Sequence, residues 1–464
     1  MKKILFCILA FLCFQMVKAT PIDKHSARNF AAIFWNKNCL DTRNTLSPSD
    51  FTDITEDVNL SNIYIFQPTI GQGFIILSAN DCARPVLAFS TESDFDTENL
   101  PQSVYDWLLG YEMQINEAIN AKCEAHPEVA QEWEMLRNGY YSTTKSTNSV
   151  SPLITAQWGQ GSYYNAMCPT NTLVGCVAVA MGQVMHYWQH PIHGTGSHSY
   201  TYNGITHSVN FEDATYNYAS MPTSLSSNNT AVATLLYHCG VAINMEYSSS
   251  SSNAYVLYSS AHPNNAESAL KNYFGYSQQA QGKLRSNYTK AQWIEMLKND
   301  LDAGHPVIHN GYNASNSGGH CFICDGYNNN DYFHFNWGQR GNYDGYFDLD
   351  AMTPISSQNF SYNQGGIFGL VPAQEGEGIE DFEQSAICIY PNPANNIVHV
   401  SIQKDVDFTG GTFAIYDLLG NLLMQDDIRS SEWSVDISNL STGTYLIHIL
   451  SNEHHPLVKK IIKK

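Results

Sequence analysis

One cysteine in this sequence opens an apolar segment and is preceded by a glycine. Cys176 follows Gly175 in the run VGCVAVA, which extends from Val174 to Ala180. If the run is a helix, the partial positive charge at its N-terminus favours the thiolate and lowers the pKa of the cysteine. Backbone N–H groups of the same turn can hold an oxyanion. A buried structural cysteine is the alternative that these residues alone leave open.

A histidine and an asparagine follow in an order that suits the activation of a thiol. His320 lies in the segment GGHCFICDGY, whose later part has the pattern of a strand, and Asn336 lies in FNWG. The amide of Asn336 can accept the imidazole N–H and set its tautomer, and the indole of Trp337 can keep water away from that bond. Cysteine, histidine and asparagine in this chain order are one known arrangement for nucleophilic catalysis.

A glutamine in a glycine-rich segment precedes the cysteine. Gln160 belongs to QWGQG, which extends from Gln157 to Gly161. A glutamine amide can donate to a developing oxyanion and would complete the hole begun by the Cys176 N–H. Taken alone, the residue is equally compatible with a solvated loop.

Together these segments resemble the streptopain family of papain-like cysteine peptidases. The resemblance covers residues 150–360 and rests on four motifs in the family's order, namely Gln160, VGCVA at 174–178, GH at 319–320 with DGY at 325–327, and HFNWG at 334–338. The plant and lysosomal signature CGSCW is absent from the sequence, which places the resemblance with the bacterial branch.

The resemblance implies a role for each motif residue. Cys176 would be the nucleophile and His320 the general base and acid, with Gln160 lining the oxyanion hole. Asn336 would orient His320, and Trp337 would shield that contact. The segment GQRG at 338–341 departs from the family's GWGG, and we expect this change to alter a substrate subsite without removing a catalytic group.

The elements that must position these residues predict an α+β protein with several parts. With the resemblance, this implies a papain-like two-subdomain catalytic domain, preceded by an α+β propeptide and followed by a small β-sandwich sorting domain. The predicted boundaries are a signal peptide at 1–19, the propeptide at 20–148, the catalytic domain at 149–371, an acidic linker at 372–385 and the sorting domain at 386–464.

The N-terminal boundaries depend on local patterns. A basic start, an apolar stretch at 4–17 and a small-residue cleavage site predict an export signal. Strands at 63–66, 73–77 and 85–89 and an amphipathic helix at 102–122 predict a compact unit. Segments 73–80 and 85–90 resemble the family's propeptide, with Ser-Ala-Asn at 78–80 in place of Ser-Ala-Asp. This resemblance implies an intramolecular inhibitor that fills the cleft until the chain is cut near the polar tract 142–149.

The C-terminal boundary depends on an acidic segment and a series of short strands. Alternating patterns at 398–402, 412–418, 433–437 and 444–450 predict a β-sandwich. The segments IYPNPA, IYDLLG and LSTGTY and the lysine-rich end resemble the sorting domain of type IX secretion cargo. That resemblance implies recognition by the secretion machinery and a secreted or outer-membrane location in a Gram-negative bacterium.

Composition narrows the choice of function. The formal charge of −20 over 464 residues disfavours nucleic acid as a partner.

Nine cysteines remain after the signal, and this odd number leaves at least one thiol unpaired. The single pair Cys321 and Cys324 supplies too few ligands for zinc, and we expect the two side chains on opposite faces of a strand. His186 and His190 lie four residues apart but lack the glutamate of a zinc-protease motif. No metal or cofactor is therefore expected.

The function predicted from all of these features is that of a secreted cysteine endopeptidase made as a zymogen. It would hydrolyse peptide bonds of protein or peptide substrates through a thioester acyl-enzyme. The alternative is a catalytically silent surface or binding protein on the same fold.

Overall fold

A computed structural model describes residues 20–39, 45–142, 148–312, 319–352, 364–373, 387–402, 411–417, 421–450 and 457–464. The chain divides into two compact units, Met1–Pro372 and Ala373–Lys464. The predicted signal peptide and most of both the polar tract and the acidic linker lie outside the described residues.

The first part of the larger unit alternates helices with short strands. Its elements are α1 (Lys24–Asn38), β1 (Phe51–Asp53), β2 (Ile63–Pro68), β3 (Phe74–Ser78), β4 (Val86–Ser90), α2 (Gln102–Asn120) and α3 (Pro127–Arg137). The predicted strands and the amphipathic helix are confirmed, since α2 buries the apolar side chains of Val104, Leu108, Tyr111 and Ile115. Helix α3 had no clear sequence signal, because its apolar residues are interrupted by four acidic or amide side chains.

The remainder of the larger unit supplies the predicted catalytic elements. These are α4 (Cys176–Trp188), β5 (Ser197–Tyr202), β6 (Ile205–Asn210), α5 (Thr230–Ala242), α6 (Ala266–Asn272), β7 (Gln281–Leu284), α7 (Lys290–Asp302), β8 (Val307–Tyr312), β9 (Gly319–Tyr327), β10 (Phe333–Asn336), β11 (Gly345–Phe347) and β12 (Gly365–Phe368). Helix α4 begins at the cysteine, as predicted. Most of its side chains are buried, which explains its nearly continuous apolar sequence.

One antiparallel sheet joins the two parts of the larger unit. Among the described residues ten strands follow the order β1-β2-β3-β4-β11-β10-β9-β8-β12-β7. The junction is the pairing of β4 with β11, where Phe89 is opposite Tyr346 and Ala88 is opposite Phe347. Because backbone hydrogen bonds cross this junction, the N-terminal part is built into the catalytic sheet.

The two faces of β9 point into two different cores. Cys321 and Ile323 pack in a helix-rich core around α4 and α5. Phe322 and Cys324 pack in a second core that contains side chains of α2, α7 and the inner strands. The predicted placement of Cys321 and Cys324 on opposite faces is therefore confirmed. The helix-rich half and the sheet-rich half agree with the predicted two-subdomain architecture.

The smaller unit is built from strands. They are β13 (Ile387–Tyr390), β14 (Ile397–Ile402), β15 (Thr412–Tyr416), β16 (Leu422–Asp427), β17 (Glu432–Asp436), β18 (Gly443–Leu450) and β19 (Leu457–Lys463). They form sheets in the orders β13-β14-β17 and β16-β15-β18-β19. Val398 and Val400 of the first sheet share a core with Ile415 and Ile447 of the second, so the predicted β-sandwich is confirmed.

Candidate active site

The candidate nucleophile lies at the first residue of the central helix. Cys176 begins α4, and the preceding Gly175 has φ of +92°, a conformation that favours glycine. A Cβ atom on Gly175 would lie 2.5 Å from the Met245 methyl group. The glycine thus permits both the sharp entry into the helix and the close packing behind the thiol.

The thiol does not have the lowered pKa that the sequence predicted. Burial raises the pKa of Cys176, and the N–H groups of Cys321, Val177 and Cys176 itself only partly oppose the rise. The prediction of a lowered pKa is therefore wrong for this form of the protein. The physical reason is that the free-energy cost of removing the thiolate from water exceeds the stabilisation it receives from the N–H groups at the helix start when it has no imidazolium partner.

The candidate base shares a pocket with the candidate nucleophile. His320 is the second residue of β9, and both it and Cys176 line an open pocket of about 370 Å³. All of the residues that line this pocket lie between positions 176 and 320. The geometry places the thiol and the imidazole on the same surface, as a substrate-binding cleft requires.

The imidazole itself is engaged by the predicted propeptide. His320 Nε2 lies 2.9 Å from Asp106 Oδ2, and Asp106 is part of α2. The two side chains are 18% and 9% exposed, so the contact is largely shielded from solvent. Within the described residues no hydrogen bond joins His320 to Cys176 or to Asn336.

The side-chain amide of Asn336 forms its hydrogen bonds with groups other than His320. Its Oδ1 accepts hydrogen bonds from Gln183 Nε2 at 2.9 Å and from the Gly338 N–H at 3.1 Å. Its Nδ2 donates to the Ala156 carbonyl at 3.0 Å. Asn336 therefore ties β10 to α4 in this structure, and its predicted role of orienting His320 stays a prediction.

The indole of Trp337 is buried among aromatic rings. The ring centroids of Trp337 and Phe322 are 4.5 Å apart, and that of Trp107 from α2 is 6.0 Å away. Trp107 also packs edge-on against Phe335 at 5.0 Å. The surface that was predicted to shield the histidine–asparagine contact is thus covered by a side chain of the predicted propeptide.

The loop that carries Gln160 is held beside the cysteine. The Gln160 carbonyl accepts the N–H of Val174, two residues before Cys176, at 3.0 Å. Arg340, one of the departures from the family pattern, packs against the same loop. Its N–H donates to the Trp158 carbonyl at 3.0 Å, and its guanidinium group lies 5.7 Å from the Tyr164 ring centroid. Arg340 therefore shapes the loop of the predicted oxyanion hole.

Charged groups join the predicted propeptide to the catalytic part in a second place. Buried Arg84 forms ion pairs with Glu132 at 3.0 Å and with Asp348 at 3.1 Å, and it donates to the Asn330 carbonyl at 2.9 Å. Asp348 and Asn330 belong to the catalytic part, so one guanidinium group spans the boundary. Because breaking a buried ion pair leaves an uncompensated charge, this contact resists separation of the two parts.

A histidine between two carboxylates forms a third connection. His334 Nδ1 lies 2.6 Å from Asp325, and its Nε2 contacts Glu92 from the N-terminal part. Burial would lower the pKa of His334, but the two carboxylates raise it to about 10. The hydrogen bond with His334 in turn lowers the pKa of Glu92.

The direction of these two pKa shifts determines the pH range in which Glu92 and His334 stabilise the folded protein. Since the pKa of Glu92 is lowered, its contribution is lost as pH falls through that lowered value. Since the pKa of His334 is raised, its contribution is full below the ordinary histidine value and is lost as pH rises through about 10. The contribution of these groups to folding stability is therefore full between the ordinary pKa values of glutamate and histidine. Only the share due to Glu92 bears on attachment of the N-terminal part, because Asp325 stays with His334.

The side chains considered for metal binding have structural partners. The Nε2 atoms of His186 and His190 each lie 3.0 Å from a backbone carbonyl, of Met221 and Gly275 respectively. Among the described residues no group of three or more histidine, cysteine or carboxylate side chains is arranged to hold a metal ion. None of the helices in the described part of the chain has the length and apolar character needed to cross a membrane.

The sequence did not identify Asp106 or Trp107. The apolar period of α2 marked the residues that face the core, and neither of these two belongs to that stripe. Asp106 meets a partner 214 positions away along the chain. The one available sequence signal was an acidic residue next to a tryptophan on the propeptide helix. That signal can be interpreted only once the contact with His320 is known.

Comparison with protein families assigns each part of the chain. Residues 158–347 match the Peptidase C10 family, residues 19–115 match the Spi protease inhibitor family, and residues 388–464 match the Secretion system C-terminal sorting domain. The three matches follow the order of the predicted parts.

Individual relatives agree with these matches. The chain is 27% identical over 415 residues to the thiol protease/hemagglutinin PrtT of Porphyromonas gingivalis, covering 82% of this chain but only 45% of that protein. It is 26% identical over 404 residues to streptopain of Streptococcus pyogenes, covering 79% of this chain and 98% of the relative. A solved fragment of prointerpain A from Prevotella intermedia is similar with a TM-score of 0.56 and 30% identity, covering 70% of this chain and 99% of the fragment.

Proposed function

Because the chain belongs to the Peptidase C10, or streptopain, family, we propose that Cys176 and His320 form the catalytic pair of a peptidase held latent by its own N-terminal part. The protein is a secreted cysteine peptidase with an inhibitory propeptide domain and a C-terminal sorting domain. The proposal concerns which residues perform the reaction and which residues prevent it.

The reaction proceeds through a thioester. In the active form His320 takes the proton of the Cys176 thiol, and the thiolate attacks the scissile carbonyl. The Gln160 amide and the Cys176 N–H stabilise the oxyanion, and the imidazolium then protonates the leaving amine. Water, activated by the same imidazole, adds to the thioester and releases the carboxylic acid and the thiol.

The hydrogen bond between Asp106 and His320 is the observation that carries the proposal of latency. The carboxylate occupies one of the two ring nitrogens of the candidate base, and within the described residues no hydrogen bond joins the imidazole to the thiol. Trp107, the next residue, packs on the aromatic surface beside the catalytic strand. The residues that line the pocket beside Cys176 all belong to the catalytic part, so the expectation that the propeptide fills the cleft does not hold for this pocket, whereas α2 lies against the other side of His320.

Activation requires two changes around His320. Cleavage near the polar tract 142–149 would allow the N-terminal part to leave, taking Asp106 and Trp107 with it. The imidazole would then turn towards Cys176, and the Asn336 Oδ1 atom would exchange one of its present donors for the imidazole N–H. Until then the Gln183 and Gly338 bonds fix the position of the Asn336 amide.

The sorting domain supports a route through dedicated secretion machinery. Its lysine-rich end forms strand β19, which pairs along its length with β18, for example at Ile461 and Tyr445. We propose that this sandwich is the part that the type IX machinery recognises and that it is removed during export. We expect the cleavage site that removes the sandwich to lie in the acidic segment 372–385.

A thiol-directed epoxide tests the assignment of the nucleophile. We expect one covalent adduct on Cys176 in the processed protein and no adduct in the Cys176→Ala variant. Cys168→Ala serves as the matched control, because Cys168 is another half-buried free cysteine near the same core and its loss should leave the adduct unchanged. An unlabelled Cys176 in processed protein would favour the catalytically silent alternative.

A processing experiment tests whether activation is autocatalytic. The Cys176→Ala protein, expressed alone, should accumulate at full length, whereas adding active wild-type protein should cut it. Normal maturation of the variant alone would show that another peptidase performs the first cut.

A further inference from the structure

The pocket beside the catalytic pair combines apolar walls with a polar rim. Val177, Ile243 and Val256 contribute aliphatic surface, and Asn244, Asn253 and Asn264 contribute amides. The pocket holds about 370 Å³ and is open to solvent on one side, so a long side chain could enter it beside Cys176. Aliphatic walls that end at a polar rim suit a side chain with an apolar stem and a polar end.

One carboxylate lies among the residues that line this pocket. Glu246 forms an antiparallel bridge with Asn253, with N–H to carbonyl distances of 2.9 and 3.3 Å in the two directions. These bonds occupy the Glu246 backbone and fix where its side chain begins. The side chain is exposed, and within the described residues no lysine or arginine forms an ion pair with it.

We propose that Glu246 makes this pocket a subsite for lysine or arginine side chains of the substrate. The inference rests on the proposed function, since it concerns the same Cys176 site. The methylene stem would lie along Val177 and Ile243, and the ammonium or guanidinium group would meet the Glu246 carboxylate. No lysine or arginine lines the pocket in its described part, so no permanent cation there competes with the substrate for the Glu246 carboxylate.

The tract at which activation is expected contains a residue of the required kind. Lys145 is the one basic residue between positions 142 and 149. A pocket that accepts a cationic side chain would therefore suit a self-cleavage in this tract. We therefore expect the chain to be cut at a bond within three residues after Lys145.

Matched peptide substrates measure the contribution of Glu246. The processed protein would be assayed with peptides that carry lysine, arginine, norleucine or glutamate at each of the three positions before the cut. Norleucine keeps the aliphatic stem of lysine without its charge. Each preparation would be normalised by titration of its reactive thiol with the epoxide, so that kcat/KM refers to active enzyme.

The expected result is a change in the ratio of kcat/KM for the lysine peptide to kcat/KM for the norleucine peptide. Glu246→Gln should reduce the kcat/KM for lysine relative to norleucine by roughly 2- to 5-fold at one position, as for other partly exposed charge pairs. Glu295→Gln is the control with the same change of charge, because Glu295 is exposed on α7 outside the pocket. High salt should reduce the preference for lysine in the wild type, since it screens exposed charges.

The outcomes separate this inference from the proposed function. Equal lysine-to-norleucine ratios in wild type and Glu246→Gln at all three positions would overturn the subsite, even though the enzyme remains active. Glu246→Lys gives an independent check, since the pocket should then favour glutamate over lysine. Preparations without a reactive Cys176 and without cleavage of any peptide would instead overturn the proposed function itself.

Discussion

Replacing Asp106 by asparagine should release the latent enzyme without removing either group of the proposed catalytic pair. The variant keeps the size of the side chain and its place on α2, but it removes the negative charge that faces His320 Nε2 at 2.9 Å. Asparagine can still form a neutral hydrogen bond. The change therefore tests the charge of the contact, and it leaves the packing of Trp107 and the continuous sheet in place.

The size of the effect follows from the burial of the two side chains. Both are less than one fifth exposed, so solvent screens the contact only in part. Hydrogen bonds to charged groups contribute about 1.5–3 kcal/mol, and a neutral bond retains about 0.5–1.5 kcal/mol. The loss should be about 1–2 kcal/mol, which corresponds to a factor of roughly 5–30 in the population of released imidazole.

The assay is the conversion of full-length protein to processed protein over time at one protein concentration. Asp106→Asn should convert roughly 5–30 times faster than the wild type, and Glu117→Gln should convert at the wild-type rate. Glu117 lies on the same helix with its side chain exposed, so it is a charge-matched control. The double variant with Cys176→Ala should stay at full length, which would attribute the faster conversion to the chain's own thiol.

Two results would refute the reasoning. Conversion of Asp106→Asn at the wild-type rate would show that the carboxylate does not restrain His320. An equal acceleration in Glu117→Gln would show that a general loss of negative charge on α2 is responsible, and not the specific contact.

Three further changes address the other contacts. Glu92→Gln should accelerate propeptide release between the ordinary glutamate and histidine pKa values and have less effect as pH rises through about 10, where His334 loses its proton, as measured by conversion across a pH series. Arg84→Met leaves Asp348 without one of its cationic partners and should lower the free energy of unfolding by about 3–5 kcal/mol in urea titrations; Arg137→Met, which affects a more exposed ion pair, should cost less than about 1 kcal/mol. Asn336→Ala should reduce kcat of the processed enzyme by roughly 10- to 100-fold with little change in KM, because misplacing a reactive group can cost about that much in rate; an unchanged kcat would assign Asn336 a purely structural role.

The sequence was sufficient for features that depend on neighbouring residues. The period of α2, the alternation in the strands of both units and the start of α4 at Cys176 could all be read locally, because side chains that share a face recur at fixed spacing. The placement of Cys321 and Cys324 in different cores followed from the same alternation. The short motifs around Gln160, Cys176 and His320 indicated the chemistry, since they carry their residue types in a fixed order.

The tertiary structure decided which partners these residues have. The pairing of β4 with β11 brings the N-terminal part against the catalytic strands, and only then does Asp106 meet His320. The raised pKa of Cys176 is likewise a property of burial, which no local pattern contains. Sequence spacing records contacts within a helix or a strand, whereas contacts between distant segments depend on how the sheet is assembled. For this reason the sequence indicated the candidate reacting groups, and the fold determined that a carboxylate of the N-terminal part binds the candidate base.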